Sequence, residues 1–211
     1  IEPVQLKALF EVWQKYLDTQ MPAILNEIGN EQGMLMVDAI FGFYGLIDSK
    51  VKKSSSRIGT QFNKFVEKLS AYLQTCEAEK VFSFLQQFTL RLKQNGKGLN
   101  IVLNLIYKTA PVLTKEAHAS LLKLYLNNVS KNDLTEPELM QLLLYVIQHD
   151  LFTELHSDLP YTLFYNEYNI LFLNQLQLIG ETDKVISLCE KSIKGNYHEV
   201  YSIPYYQILV N

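Results

Sequence analysis

Histidines and carboxylates carry most of the chemistry open to this chain, and their spacing decides how far that chemistry goes. His118, the pair His149-Asp150, and Asp183 supply two imidazoles and two carboxylates in chain order. Such a donor set could hold a divalent cation and activate a water molecule for hydrolysis. His149, Glu154 and His156 form a second, more local set, although their spacing matches no strong ligand template. Either use requires several side chains to converge on one cavity, with hydrogen-bonded support behind each ligand. The setting of His149-Asp150 points elsewhere. It follows the apolar stripe Leu139, Leu142, Leu143, Val146 and Ile147, at a helix C-terminus, where an imidazole complements the dipole and an aspartate begins a turn. The chain has no Gly-rich phosphate loop, no HExxH, no CxxC pair and no nucleophile elbow. It therefore reads as non-catalytic, with no cofactor and no metal.

Two stretches have residue types suited to binding. Lys50-Val51-Lys52-Lys53-Ser54-Ser55-Ser56-Arg57 is the clearest composition shift in the chain. It reads as a solvated linker or as a loop that contacts phosphate, with Lys52, Lys53 and Arg57 as its candidate contacts. The aromatic series Tyr161, Phe164, Tyr165, Tyr168 and Phe172 offers rings for stacking on a base or docking a peptide. Its near-helical spacing equally suits the core of a helix stack, where aromatics supply most of the buried area. Tyr205 and Tyr206 pose the same choice.

Composition narrows the options. The 211 residues are 48% hydrophobic, with only 9 Gly and 6 Pro, which favours helix throughout and allows a sizeable core. Net charge is −3, so nucleic-acid binding would need a local basic face. Such a face requires Lys50, Lys52, Lys53, Arg57, Arg91, Lys93 and Lys97 to converge. Cys76 and Cys189 are far apart and sit at apolar helix positions, a usage that fits a reducing, intracellular and cytoplasmic setting. The longest apolar run, Met34 to Ile47, is too short to span a bilayer and contains Asp38. The chain begins at Ile1 and reads as a fragment of a longer protein.

The elements that must position these residues are helices. Leu6, Leu9, Phe10, Trp13 and Leu17 form one stripe, interrupted at Pro22 and resumed by Ile24, Leu25 and Ile28. Later stripes are Phe62 to Leu73, Val81 to Leu92, Leu99 to Ile106, and Leu122 to Val129. Next comes a helix at Pro137, with Thr135 as N-cap, Glu138 as capping-box partner and Leu134 with Leu139 as staple. From Tyr168 to Ile193 two apolar-faced helices flank Gly180, a residue suited to the positive φ of a helix C-terminus. Tyr201 to Val210 opens one more helix. No period-two alternation argues for a sheet. The expected fold is all-α, an irregular right-handed solenoid of helical hairpins, with a compact bundle as the alternative. N-terminal helices would occupy residues 1–53 and a helical-repeat array 58–211, as one continuous domain.

Gly180 to Ile193 resembles the second half of a tetratricopeptide repeat: Gly180-Glu181 matches its turn, Val185 and Ser192 its small positions, and Cys189 its bulky one. Leu173 replaces the small residue of that family's first helix. Tyr168-Asn169 and Pro204-Tyr205-Tyr206-Gln207-Ile208-Leu209 instead resemble the helix openings of pentatricopeptide repeats, Phe62-Asn63 followed by the helix around Val81 is a further echo, and these likenesses together cover about a third of the chain. The first resemblance implies a scaffold that binds a protein or peptide in a groove. The second implies single-stranded RNA binding in an organelle such as the mitochondrion, with Asn169 and Gln207 nearest the base-reading positions. A third likeness, of His118, His149-Asp150 and Asp183 to the ligand order of HD-type metal phosphohydrolases, implies metal-dependent hydrolysis. The principal expectation is a non-catalytic scaffold for a protein or peptide, with Tyr165, Asn169, Tyr205 and Gln207 as further candidate contacts.

Overall fold

Helix is the only regular structure among the described residues. The computed structural model describes residues 64, 66–95, 99–129, 134–161, 167–195 and 199–210 and isolated helical positions between 8 and 39, with side chains left out at 91–95, 99–100 and 199–200. The basic stretch 50–57, the turn 96–98 and Phe62, Phe65, Phe164 and Tyr165 lie outside the described residues. No described helix is long and apolar enough to cross a membrane. The chain divides into two compact units, Ile1–Asn128 and Val129–Asn211. That division falls inside the stretch that reads from sequence as one array, whereas the composition shift between 53 and 58 lies outside the described residues.

In the first unit, a helical segment over 66–73 buries Val66, Leu69 and Leu73 and breaks at 74–77. Helix α1 (Ala78–Asn95) buries Val81, Phe84, Leu85 and Phe88, and the i, i+4 spacing stacks Phe84 on Phe88 at 5.5 Å. Helix α2 (Leu99–Thr109) buries Val102, Leu103, Leu105 and Ile106 and then tightens into a 3-10 turn, Ala110–Val112, around Pro111. Proline has no N–H with which to continue an α-helix, which is why the helix ends there. Helix α3 (Lys115–Asn128) starts where the Thr114 hydroxyl accepts the Ala117 N–H at 3.2 Å, an N-cap. Its Leu121, Leu122, Tyr125 and Leu126 face inward, and α1, α2 and α3 each pack on the other two.

The second unit opens with α4 (Glu136–Gln148), and its start follows the predicted chemistry. The Thr135 backbone N–H and hydroxyl both donate to Glu138 Oε2 at 2.8 Å, and Leu134 and Leu139 are both buried. A short helix, α5 (Phe152–Leu155), follows. Then come α6 (Glu167–Leu178), α7 (Thr182–Gly195) and α8 (Glu199–Val210). Helices α6, α7 and α8 each contact the other two, while α4 packs on α5 and α6. Their core is built on rings: Tyr168 stacks on Phe172 at 6.1 Å, and Phe152 meets the same ring edge-on at 5.6 Å. Burial of one such side chain is worth about 1.5–3 kcal/mol, which is why Tyr168 and Phe172 take interior places.

Two helix ends show how the connections are made. After α6, Gly180 has φ +82, the Glu181 N–H donates to the Leu176 carbonyl at 3.0 Å and the Gly180 N–H to the Gln177 carbonyl at 3.1 Å. After α4, Asp150 has φ 55, Leu151 N–H donates to the Val146 carbonyl at 2.9 Å and Asp150 N–H to the Ile147 carbonyl at 3.1 Å. Both are Schellman motifs, which satisfy the orphan carbonyls of a helix end.

Candidate functional site

The Schellman motif after α4 accounts for the His149-Asp150 pair. Asp150 is the left-handed residue that ends the helix, and both side chains are exposed, with the His149 ring 4.2 Å from that of Tyr145. His118 is buried in α3, within the first unit, whereas Asp183 is exposed in the first turn of α7, within the second. No group of three or more His, Cys, Asp or Glu side chains among the described residues is placed to hold a metal ion.

Of the residues expected to bind, Lys52, Lys53, Arg57 and Tyr165 lie outside the described residues. Lys50 and Lys97 lie there too, and the side chains of Arg91 and Lys93 are not described. Asn169 and Tyr205 are brought together, but in the interior. Both are fully buried, with Asn169 Nδ2 donating to Tyr205 Oη over a long 3.5 Å. Neither side chain is presented to a ligand at the surface, because the side of α6 that bears Asn169 also bears Tyr168, Phe172, Leu173 and Leu176. Gln207, two residues beyond Tyr205, is exposed.

A polar seam therefore runs through the core of the second unit. Besides Asn169 and Tyr205, the Tyr161 hydroxyl bonds to the buried Ser192 hydroxyl at 2.8 Å, and the Tyr168 hydroxyl donates to the Pro160 carbonyl. Burial lifts the phenols of Tyr161 and Tyr168 above their ordinary range and pushes the Cys189 thiol up to about 11. Cys189 is thus a protonated, inert core residue rather than a nucleophile. Near the start of α7, Lys184 Nζ lies 3.0 Å from His156 Nδ1 and 3.5 Å from the His156 carbonyl. Lysine has no acceptor, so that contact requires a neutral imidazole whose Nδ1 lone pair faces Lys184. Burial, then the Lys184 ammonium, lowers the His156 pKa, and the Glu181 and Asp158 carboxylates oppose the shift.

The surface contains the feature that single-residue searching missed. After its first turn, α4 reads Leu-Met-Gln-Leu-Leu-Leu-Tyr-Val-Ile-Gln; α6 and α8 are equally without a charged side chain once Glu167 and Glu199 are passed. Beyond Glu136 and Pro137 on α4 and Glu167 on α6, the exposed positions described on these helices are apolar, phenolic or amide: Gln141, Leu144 and Gln148 on α4, Asn174, Gln177 and Leu178 on α6, Tyr201, Ile203, Tyr206, Gln207 and Val210 on α8. Leu178 is 77% exposed. A solvated helix face ordinarily carries charge, as α7 does with Asp183, Glu190, Lys191 and Lys194. The signal was present in the sequence as runs of ten or so residues without Asp, Glu, Lys or Arg; which of those residues would be exposed was not. Compared with protein families, with curated proteins and with solved structures, the chain finds no match in any of the three.

Proposed function

We propose that this chain is a non-catalytic helical-repeat scaffold that binds a protein or peptide partner. The observation that carries the reading is the charge-free exposed side of α4 and α6, two helices in contact within the second unit. Apolar side chains interspersed with amides release ordered water on contact and hydrogen-bond a polypeptide, while they provide no cation for a phosphodiester. Repeat packing supports the same reading. The hairpin α6–α7 turns at Gly180, the positions that resemble tetratricopeptide packing sites (Val185, Cys189 and Ser192) are the buried ones of α7, and α8 packs on both helices as the opening helix of a next hairpin would. The pentatricopeptide-like alternative needs Asn169 at a base-reading surface, and its burial beside Tyr205 argues against that use.

A photo-crosslinking residue at Gln177 tests the proposal. The expected product is a crosslinked polypeptide that rebinds in purified form and is weakened at least tenfold by Leu144→Glu or Leu178→Glu. Recovery of RNA alone, with affinity falling steeply with salt, would overturn it.

A further inference from the structure

The connection that follows α5, residues 156–161, is tied to α7 at both of its ends. At the near end Lys184 Nζ lies 3.0 Å from His156 Nδ1 and 3.5 Å from the His156 carbonyl. At the far end the Tyr161 hydroxyl bonds to the Ser192 hydroxyl at 2.8 Å, about two turns further along α7. Between them Leu159 and Pro160 are buried, and the Pro160 carbonyl accepts the Tyr168 hydroxyl of α6. The connection is therefore a strap laid along the start of α7 and fastened through side chains. Its two fastenings answer to pH differently. Burial raises the Tyr161 phenol far above its ordinary range, so that hydroxyl keeps its proton across the acid and neutral range. The His156 fastening exists only while Nδ1 has a lone pair to offer, because a lysine donates and cannot accept.

A proton on Nδ1 sets two cations 3.0 Å apart and turns that contact from attractive to repulsive. Lys184 is half-buried on a flexible stem and can swing into solvent. The charged ring is not left unsupported when it does. Glu181, just ahead of α7, and Asp158, within the strap, act on the ring in the sense opposite to Lys184. One ammonium and two carboxylates leave the cluster one negative charge in excess, so a proton on His156 brings it to neutrality. The other charged groups on the elements around this corner, Glu154 on α5, Asp183 on α7, Glu167 on α6 and the His149-Asp150 pair ending α4, are exposed and screened by solvent. Burial, then the Lys184 ammonium, lowers the His156 pKa from 6.5, which puts the event on the acid side of neutrality. We propose that the strap is a pH-operated latch: protonation of His156 Nδ1 expels Lys184 and frees the near end of the strap from the first turn of α7, while the Tyr161 end stays fastened. The latch is independent of the partner-binding proposal. It opens one end of one connection, so the rest of the unit stays folded.

Amide hydrogen exchange on the whole chain, read by NMR and corrected at each pH for the rate of the free peptide, tests the latch. The Asp158 and Leu159 N–H groups donate to the Leu155 carbonyl at 2.9 and 3.1 Å. Their protection should fall at least threefold as pH drops through the His156 midpoint, while that of Cys189 and Ser192 on α7 holds. His156→Gln, whose amide oxygen can accept from Lys184 at any pH, should keep the latch closed and abolish the change. Lys184→Met should leave it open, with protection at neutral pH already at the acid value. Far-UV circular dichroism checks that each variant is folded; if His156→Gln is not, the unaltered chain and Lys184→Met decide. Protection that does not change across the midpoint overturns the proposal. So does the same pH-dependent loss in either folded variant, or a loss shared equally by Cys189, which marks opening of the whole unit.

Discussion

Helices α7 and α8 are consecutive, similar in length and in contact, yet they solve the problem of facing water in opposite ways. Helix α7 keeps Val185, Cys189 and Ser192 inside and turns Asp183, Glu190, Lys191 and Lys194 outward. Helix α8 keeps Ser202, Tyr205 and Ile208 inside and turns more apolar surface outward. Helix α7 is also pinned at its start, by the Gly180 turn and by the Lys184–His156 contact. Helix α8 contains Pro204, which gives up one internal hydrogen bond. The contrast shows that the inner sides of both helices are explained by the unit's own core, while the outer side of α8 is not.

The sharpest test separates the two sides of α8. Tyr205→Ala should cost about 3–5 kcal/mol in urea unfolding, because it removes a fully buried ring. Tyr206→Ala, one residue on, should change stability by no more than about 0.5 kcal/mol. Equal losses would erase the distinction between an inner and an outer side.

The next effect is at the entry to α7. Gly180→Ala meets no heavy atom within 4 Å of the new Cβ, so its cost is conformational and should be about 1–2 kcal/mol at the positive φ. Asp150→Gly, in the equivalent position after α4, should instead stabilise by about 0.5 kcal/mol, since glycine relieves the left-handed strain but loosens the unfolded chain. Thermal melts of the two variants should move in opposite directions.

The smallest expected effect is the pH response of the Lys184–His156 contact. Burial and the Lys184 ammonium hold the His156 pKa below 6.5 in the folded chain. Between 6.5 and that lower value the unfolded chain binds more protons than the folded one, so stability should fall as pH drops through this window. Partial exposure of the pair keeps the loss small. NMR titration should place the His156 midpoint below 6.5 and move it upward in Lys184→Met; a midpoint unmoved by that change would remove Lys184 as a cause.

Local features were legible in the sequence because their causes are local. Gly180 ends α6 where a positive φ is needed, Thr135 and Glu138 form the start of α4 across three residues, and the stripe from Val81 to Phe88 is the buried side of α1. Asn169 and Tyr205 were less legible. Both sit on helices that are apolar nearly all round, and periodicity cannot choose an inner side when every side is apolar. The Lys184–His156 contact was not legible at all, since 28 residues separate its partners.

The amino-acid order by itself determined that the described chain is helical, where most of those helices start and stop, and that α4, α6 and α8 lack charge beyond their first turns. Those properties follow from φ preferences, capping chemistry and spacing within a few residues. Tertiary packing decided that Asn169 and Tyr205 are interior, that burial and then the Lys184 ammonium lower the His156 pKa, and that Ile203 and Tyr206 remain at the surface. The reason is that burial depends on which helix lies alongside, and side chains far apart in the chain become neighbours only when the helices close on one another.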